Sequence, residues 1–186
     1  MTTAAPPLLN VILIGFMGCG KTTVGQLLAK QLGFQFLDTD QLIIKKARRS
    51  IASIFEQDGE AAFRTLESNL LAEFADPAAP ISRAVISTGG GIITTPSNLE
   101  KLRALGLVIW LNPPEDILYQ RILRNQDRPL LRTADPRQTL HDLLTARRPL
   151  YAAAAHLDVD VSDVTPAEAA YGLADSVRVH FAAPLA

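Results

Sequence analysis

The sequence is poor in several features that mark particular classes of protein. It contains a single cysteine, Cys19, so no disulfide can form within the chain, and aromatic residues make up only 6%. Its 18 Lys and Arg residues nearly balance 19 Asp and Glu residues, which leaves a net charge of −1. These values exclude a disulfide scaffold and an overall field that attracts nucleic acid or an anionic membrane. We therefore expect neither nucleic acid nor a membrane as a partner.

Long hydrophobic runs are also missing. The apolar stretch at residues 8–17 is too short for a membrane span, which takes about 20 residues. The first basic side chain, Lys21, follows this stretch, whereas a signal peptide carries its basic residues before the apolar segment. The single cysteine fits a reducing compartment. We expect a cytoplasmic protein.

The length and composition are typical of one globular domain. The chain has 186 residues, of which 48% are hydrophobic and 20% charged. A chain of this size can bury a substantial core without disulfides or a structural metal. We predict a single domain over residues 1–186.

Short apolar segments alternate with helical patterns along the chain. Strands are predicted at residues 10–15, 34–37, 84–88, 107–111 and 157–161, and the main helices at 21–32, 60–75, 96–105, 114–125 and 166–181, with a short helix starting at Ile51. This alternation indicates a five-stranded, doubly wound parallel sheet flanked by helices, which collects ligands at the carboxyl ends of its strands. Residues 125–137 are polar and weakly periodic, which predicts a mobile loop.

One motif carries a strong functional signal. Residues 15–22 read GFMGCGKT and fit GxxxxGK[ST], between a predicted strand and a predicted helix, as a phosphate-binding loop requires. In such a loop backbone amides surround phosphates at a helix N-terminus, Lys21 reaches the terminal phosphates and the Thr22 hydroxyl can ligate Mg²⁺. The predicted ATP-binding residues of the loop are Gly18, Cys19, Gly20, Lys21, Thr22 and Thr23.

Further polar residues favour a small-molecule kinase. Asp38 and Asp40 leave the second strand two residues apart, so both carboxylates could face one cleft, where one assists Mg²⁺ and the other orients an acceptor hydroxyl. The alternative is that they only cap the following helix. Arg64 and Glu67, three residues apart on a helix, taken alone predict a weak surface pair. Glycines 89–91 allow close approach of a ligand to the backbone.

Taken together, these segments resemble the shikimate kinase family. The resemblance rests on GFMGCGKTT at 15–23, DTD at 38–40, FRTLE at 63–67, GGG at 89–91, RPLL at 128–131 and RRPLY at 147–151. It implies a P-loop kinase fold with a mobile lid at about 125–137 and a small helical substrate-binding region at about 38–67. The implied reaction converts MgATP and shikimate to ADP and shikimate 3-phosphate, a step toward chorismate and the aromatic amino acids.

The resemblance also implies roles for individual residues. The implied shikimate-binding residues are Asp40, Arg64, Gly89, Gly90, Gly91 and Arg147, with the two arginines on the carboxylate. Lys21, Asp40 and Arg128 are the implied catalytic residues, and Arg121 and Arg128 also contact ATP. Mg²⁺ rests on Thr22 and on Asp38, the latter through water; Ser87, rather than an aspartate, lies near the end of the third strand. We expect a monomer that binds ATP and shikimate.

Two alternatives share the first motif. Another small phosphate-loop kinase, acting on a sugar acid such as gluconate or on a nucleotide, would not need the DTD, FRTLE and RRPLY segments together. A catalytically silent nucleotide-binding relative would be expected to lack Lys21, Asp40 or Arg64, and all three are present.

Cys19 supports a separate hypothesis. A thiol near a helix N-terminus and Lys21 can be reactive, so thiol reagents would inactivate the protein and MgATP would protect it. The competing interpretation is a small residue that fills space.

Overall fold

The computed structural model describes residues 9–123 and 134–182. Its strands are β1 (Val11–Ile14), β2 (Gln35–Asp38), β3 (Ala84–Ser87), β4 (Leu107–Leu111) and β5 (Leu157–Val159). Its α-helices are α1 (Lys21–Leu32), α2 (Thr39–Ala47), α3 (Ile51–Phe74), α4 (Pro96–Leu105), α5 (Glu115–Leu123), α6 (Pro136–Ala154) and α7 (Pro166–Ala182), and a short 3₁₀ helix spans Ile92–Thr94.

The described strands form one five-stranded parallel sheet in the order β2-β3-β1-β4-β5. Every residue of β1, β3 and β4 is buried, as expected for strands covered by helices on both faces. The predicted five-stranded α/β architecture is confirmed. Because all strands run in the same direction, the loops after β1, β2 and β3 meet at one edge of the sheet.

The opposite edge of the sheet is held by a buried asparagine. The Asn10 side-chain amide donates to the Ile81 carbonyl at 2.7 Å and to the Leu105 carbonyl at 3.0 Å, and its oxygen accepts from the Ala84 amide at 3.1 Å. Asn10 has no exposed surface. One side chain therefore joins the start of β1 to the segments that lead into β3 and β4.

Helix α3 agrees with two predicted helices separated by a break. Ser50 caps its start by accepting from the Ser53 amide at 3.2 Å. Gly59 has φ 83° and ψ 169°, which is not helical, and the chain bends there before the predicted segment at 60–75. Glycine suits this position because it lacks the Cβ that disfavours positive φ.

Some boundaries differ from the predictions. Helix α6 was not predicted, and it begins at Pro136, so Pro136 and Arg137 are helical rather than part of the loop predicted at 125–137. Asp135 starts the helix by accepting from the Gln138 amide at 3.0 Å. Residues 124–133, which hold most of the predicted lid, lie outside the described residues. Strand β5 ends at Val159, two residues earlier than predicted.

The helices of the described ranges are too short or too polar to cross a membrane.

Candidate active site

The loop between β1 and α1 has the geometry of an anion-binding site. Gly15, Gly18 and Gly20 have φ angles of 141°, 81° and 102°, values that favour glycine. Among the residues that the structure describes, no side chain caps the start of α1, so its first amide groups remain available to an anion, which the helix dipole also attracts. The Lys21 side chain is buried against the loop, and its ammonium group donates to the carbonyls of Gly15 and Phe16 at 2.8 and 3.0 Å.

The Cys19 side chain points into the protein beneath this loop. It is 1% exposed, and its Sγ lies 3.6 Å from the Lys21 Nζ. A Cβ on Gly15 would come within 2.9 Å of the same sulfur, so the thiol fills the space under the glycine. This burial favours the space-filling interpretation of Cys19 over the hypothesis of a reactive thiol.

Three oxygen-bearing side chains meet beside the loop. The Thr22 hydroxyl donates to Asp38 Oδ2 at 3.0 Å and lies 3.4 Å from the Ser87 hydroxyl. The other carboxylate oxygen of Asp38 accepts from the backbone amides of Asp40 and Gln41 at 3.1 and 3.2 Å. Asp38 therefore caps α2, and its second carboxylate oxygen faces Thr22 beside the phosphate loop.

Asp40 reaches the same cleft by a different route from the one predicted. The strand ends at Asp38, and α2 begins at Thr39, so Asp40 lies in the first helical turn rather than on an extended strand. The prediction that Asp38 and Asp40 follow the two-residue spacing of a strand was wrong, because the Asp38 cap starts helix α2 at the next residue. Both carboxylates nevertheless line the same cavity.

Arg64 and Glu67 form a buried pair. Arg64 Nη1 donates to Glu67 Oε2 at 2.7 Å, and the side chains are 14% and 0% exposed. Glu60 accepts two further hydrogen bonds from the same guanidinium, at 2.6 and 3.1 Å. The prediction of a weak surface pair was wrong, since this face of α3 packs against the loop after β3. Burial raises the pKa of Glu67 to about 7, although Arg64 lowers it.

The glycine loop after β3 fits closely between these groups. A Cβ on Gly89 would lie 2.7 Å from both Asp40 Oδ1 and Glu67 Oε1, and one on Gly91 would overlap the Arg64 guanidinium. A Cβ on Gly90 would lie 3.2 Å from the Met17 amide of the phosphate loop. Residues with side chains at 89 and 91 would therefore collide with charged groups, which explains the run of glycines.

Helix α6 supplies a second arginine to this region. Arg147 is 8% exposed, and its guanidinium lies 5.6 Å from the centroid of the Phe16 ring, in cation–π geometry. The Tyr151 hydroxyl lies close enough to both Arg147 and Arg64 for each guanidinium to lower its pKa. Both arginines therefore lie near Tyr151, whose hydroxyl donates to the Gly90 carbonyl of the glycine loop.

Two cavities adjoin the phosphate loop. The first, of about 390 Å³, is lined by Met17, Gly18, Gly20, Lys21, Thr22, Thr23, Asp38, Asp40, Ser87, Thr88, Gly90 and Arg121. The second, of about 340 Å³, is lined by Gly18, Cys19, Gly20, Thr23, Val24, Arg121, Val161, Val164, Pro166 and Ala169. They share Arg121, whose guanidinium donates to the Cys19 and Val161 carbonyls at 3.5 and 3.3 Å.

The structure thus brings most of the predicted residues together. Arg64, Gly89, Gly91 and Arg147 line neither of these two cavities. Arg64 lies at the glycine loop that borders the first cavity, and Arg147 lies near Tyr151, which bonds to that loop. Arg128 lies outside the described residues.

Comparison with known proteins decides the family. The family model described as shikimate kinase matches residues 17–178. A shikimate kinase of Nostoc sp. is 47% identical over 145 residues, which are 78% of this chain and 77% of that relative. One from Caldanaerobacter subterraneus subsp. tengcongensis is 43% identical over 161 residues, 87% of this chain and 91% of the relative. The chain belongs to the shikimate kinase family.

Solved structures agree. Shikimate kinase from Acinetobacter baumannii, in complex with shikimate, shares 39% identity and superposes with a TM-score of 0.86 over 95% of this chain and 96% of that one. The enzyme from Aquifex aeolicus shares 32% identity at a TM-score of 0.76, over 93% and 98%. A gluconokinase from Sinorhizobium meliloti, 17% identical with a TM-score of 0.58, shares the fold. The predicted P-loop kinase fold is confirmed.

The 340 Å³ cavity of this shikimate kinase family member is lined in part by residues that the sequence did not single out. Val161, Val164, Pro166 and Ala169 form the apolar side of the 340 Å³ cavity opposite the phosphate loop. Their signal in the sequence is the Thr165–Glu168 capping box, in which Thr165 Oγ1 accepts from the Glu168 amide at 3.2 Å. That motif fixes where α7 begins, and hence which residues face α1.

Proposed function

We propose that this chain transfers the γ-phosphoryl group of ATP to the 3-hydroxyl group of shikimate, giving ADP and shikimate 3-phosphate on the route to chorismate and the aromatic amino acids. Membership of the shikimate kinase family makes it an ATP-dependent kinase. The observation that carries the choice of site is that Asp40 and the phosphate loop line one cavity of about 390 Å³. Phosphoryl donor and acceptor can meet there.

ATP is proposed to lie along the phosphate loop. The amides of Gly18, Cys19, Gly20, Lys21, Thr22 and Thr23 would receive its phosphates at the N-terminus of α1. Its base would extend into the 340 Å³ cavity, whose wall of Val161, Val164 and Pro166 is apolar. Arg121, at the boundary of both cavities, would lie over the base.

The proposed magnesium position is the meeting point of Thr22 and Asp38. Hydroxyl and carboxylate oxygens are the ligands Mg²⁺ prefers, and Thr22 Oγ1 lies 3.0 Å from Asp38 Oδ2 with the Ser87 hydroxyl 3.4 Å from Thr22. The donor set therefore fits the ion, with Asp38 acting through water. When bound with ATP, magnesium neutralises charge on the phosphates.

Shikimate is proposed to bind at the glycine loop. Its carboxylate suits the guanidinium groups of Arg64 and Arg147, because a guanidinium can donate two parallel hydrogen bonds to a carboxylate. Asp40 and the amides of Gly90 and Gly91 would bind its hydroxyls, since the Gly89 amide donates to Thr39 Oγ1. This side of the cleft includes part of the helical region 38–67, which we propose as the substrate-binding region.

Three groups are proposed to act on the reaction itself. The Asp40 carboxylate would accept the hydrogen bond of the acceptor hydroxyl, orient that oxygen toward the phosphoryl group and take its proton. Lys21 would leave the Gly15 and Phe16 carbonyls for the terminal phosphate and stabilise its charge. Arg128, in the predicted lid, would add a second positive charge.

The proposal also covers the oligomeric state, domain organisation, compartment and partners of the enzyme. We propose a monomeric, single-domain, cytoplasmic enzyme with no nucleic-acid or membrane partner, on the basis of its 186 residues, single cysteine and net charge of −1.

The test is an ADP-release assay with shikimate, quinate, gluconate and nucleoside monophosphates as acceptors. We expect turnover with shikimate that far exceeds turnover with the other acceptors, together with formation of shikimate 3-phosphate detected by mass spectrometry. Turnover with gluconate or a nucleotide but not with shikimate would replace this proposal by another phosphate-loop kinase. Nucleotide binding with no turnover on any acceptor would favour a silent relative.

A further inference from the structure

Tyr151 lies beneath the glycine loop with its hydroxyl directed at it. The residue is in the last turn of α6, four residues after Arg147, and has no exposed surface. Its ring stacks on Trp110 of β4, with centroids 5.5 Å apart and the planes at 24°. Its hydroxyl donates to the Gly90 carbonyl. Because Trp110 fixes the ring, the hydroxyl has a fixed position beneath the loop.

This hydroxyl stays a donor throughout the physiological pH range. Burial raises the pKa of Tyr151 far above its ordinary value, and this effect outweighs the nearby guanidinium groups that lower the pKa. The phenol is therefore neutral at neutral pH, and it keeps the proton that it shares with Gly90.

The other backbone N–H and C=O groups of the glycine loop, residues 89–91, fall into two sets. Some form hydrogen bonds within the protein, and two N–H groups are available to a ligand. The Gly89 amide donates to Thr39 Oγ1 at 3.0 Å, its carbonyl accepts from the Ile92 amide at 3.2 Å, and the Gly91 carbonyl accepts from Thr94. Within residues 9–123 and 134–182, the amides of Gly90 and Gly91 donate to no protein acceptor. Those two N–H groups are the donors that remain for a ligand.

The tyrosine controls one of these two donors through peptide geometry. The Gly90 carbonyl and the Gly91 N–H belong to one planar peptide and point in opposite directions when the peptide is trans, as all peptides of the described chain are. Two glycines flank this peptide, so the chain itself restrains it weakly, since glycine has access to most of φ/ψ space. A hydrogen bond at the carbonyl therefore selects the direction of the N–H.

We infer that Tyr151 is a positioning residue for the phosphoryl acceptor: its hydroxyl holds the Gly90–Gly91 peptide so that the Gly91 N–H points away from α6, toward an acceptor hydroxyl beside Arg64. The inference rests on the proposed function, because it assigns the acceptor to this loop. It adds a residue that contacts neither substrate and acts through a peptide group. The Tyr151 hydroxyl also links the loop to the helix that carries Arg147.

The position of the glycine loop explains why the direction of the Gly91 N–H should affect binding of the phosphoryl acceptor. A Cβ on Gly91 would overlap the Arg64 guanidinium, so the Gly91 peptide borders the group proposed to bind the acceptor carboxylate. A peptide that flips would turn a carbonyl oxygen, an acceptor, toward hydroxyls that need a fixed donor. Loss of the tyrosine hydroxyl should weaken acceptor binding and misplace the bound acceptor, and it should leave the nucleotide side unchanged.

The test replaces Tyr151 by phenylalanine, which removes one oxygen and keeps the ring on Trp110. We expect the KM for shikimate to rise about fivefold to twentyfold, the typical effect of losing one buried hydrogen bond, with a fall in kcat and a KM for ATP within twofold of the wild type. Tyr171→Phe is the matched control: this tyrosine is 66% exposed on α7, and its variant should match the wild type.

Two results would overturn the inference. One is an unchanged KM for shikimate in Tyr151→Phe. The other is a parallel rise of both KM values with a large loss of thermal stability, which would mean that the hydroxyl only supports the fold. The expected split between shikimate and ATP cannot arise from general destabilisation.

A second measurement separates this inference from the proposed function. The ¹⁵N relaxation and hydrogen exchange of the Gly90 and Gly91 amides report on the loop without any substrate. In Tyr151→Phe both amides should become more mobile and exchange faster, with the phosphate-loop amides unchanged. Unchanged Gly90 and Gly91 amides would reject the role of the hydroxyl, whereas failure of the wild type to phosphorylate shikimate would reject the proposed function alone.

Discussion

Glu67 is fully buried and holds the Arg64 guanidinium through a hydrogen bond of 2.7 Å. Glu60, the other acidic partner of Arg64, is 58% exposed, so Glu67 provides the better-ordered contact. Because Glu67 binds the Arg64 guanidinium in the interior and Glu60 binds it at the surface, the guanidinium has little freedom to rotate. Arg64 is thereby set in place before any carboxylate ligand arrives, which lowers the entropy lost on binding.

We predict that at about pH 8, where a Glu67 carboxyl with a pKa of about 7 is mostly ionised, Glu67→Gln weakens binding of shikimate by about tenfold, or about 1.4 kcal/mol, because the amide keeps the shape but loses the charge that fixes Arg64. ATP binding should stay within twofold. Isothermal titration with each ligand measures both. Glu73→Gln, at a 56% exposed position of the same helix, is the control and should leave both affinities unchanged. An equal loss for ATP would show a general lesion instead.

Asp40→Asn should reduce kcat by about 10²- to 10⁴-fold, because an amide can bind a hydroxyl but cannot take its proton. Both KM values should change far less than kcat, since the cavity keeps its shape. Steady-state kinetics with a sensitive coupled assay provides the measurement. Asp175→Asn serves as a control on the surface of α7, where Asp175 pairs with Arg178. Turnover of Asp40→Asn near that of the wild type would remove Asp40 from the catalytic role.

The sequence predicted the parts of this site that depend on local pattern. The phosphate loop follows from residue types at fixed spacing, and the five strands follow from short apolar runs between helical segments. The burial of Glu67 could not be predicted in this way. An Arg and a Glu three residues apart look the same on an exposed helix face and on one covered by a glycine loop from another part of the chain.

Contacts between distant segments account for the other omissions. Tyr151 and Gly90 are 61 residues apart, and Asn10 bonds with residues 71 to 95 positions away. Such pairs depend on the order of strands in the sheet, which hydrophobic periodicity does not determine. Asp40 was assigned to an extended strand for a related reason, since the capping bond of Asp38 that starts α2 is a matter of side-chain direction.

Asn10→Ala should lower the free energy of unfolding by about 3 to 5 kcal/mol, because it leaves two carbonyls and one amide unsatisfied in the interior. Urea denaturation followed by circular dichroism measures the change. Asn112→Ala is the matched control: its side chain makes an exposed hydrogen bond to Asp158 at 3.2 Å, and its loss should cost less than about 1 kcal/mol. Equal effects of the two variants would contradict the role given to Asn10.

His156 should make the stability of the fold depend on pH. Its Nδ1 accepts a hydrogen bond from the Val108 amide at 2.9 Å, which requires an unprotonated nitrogen. Desolvation lowers the pKa of His156 below its ordinary value of 6.5, and the nearby charges of Arg103 and His180 lower it further. A lowered pKa means that the folded state binds the proton less well than the unfolded state does. The contribution of His156 is therefore complete above pH 6.5 and is lost as the pH falls through the lowered pKa.

The measurement compares the free energy of unfolding from pH 5 to pH 8 for His180→Gln and for the double variant His156→Asn/His180→Gln. Asparagine can place its Oδ1 where the histidine has Nδ1, so it keeps an acceptor for the Val108 amide without titrating. Removing His180 from both proteins excludes its own titration from the difference. We expect the double variant to lose less stability than the single variant as the pH falls below 6.5, the ordinary pKa of His156. Parallel profiles for the two proteins would show that His156 does not govern the acid response.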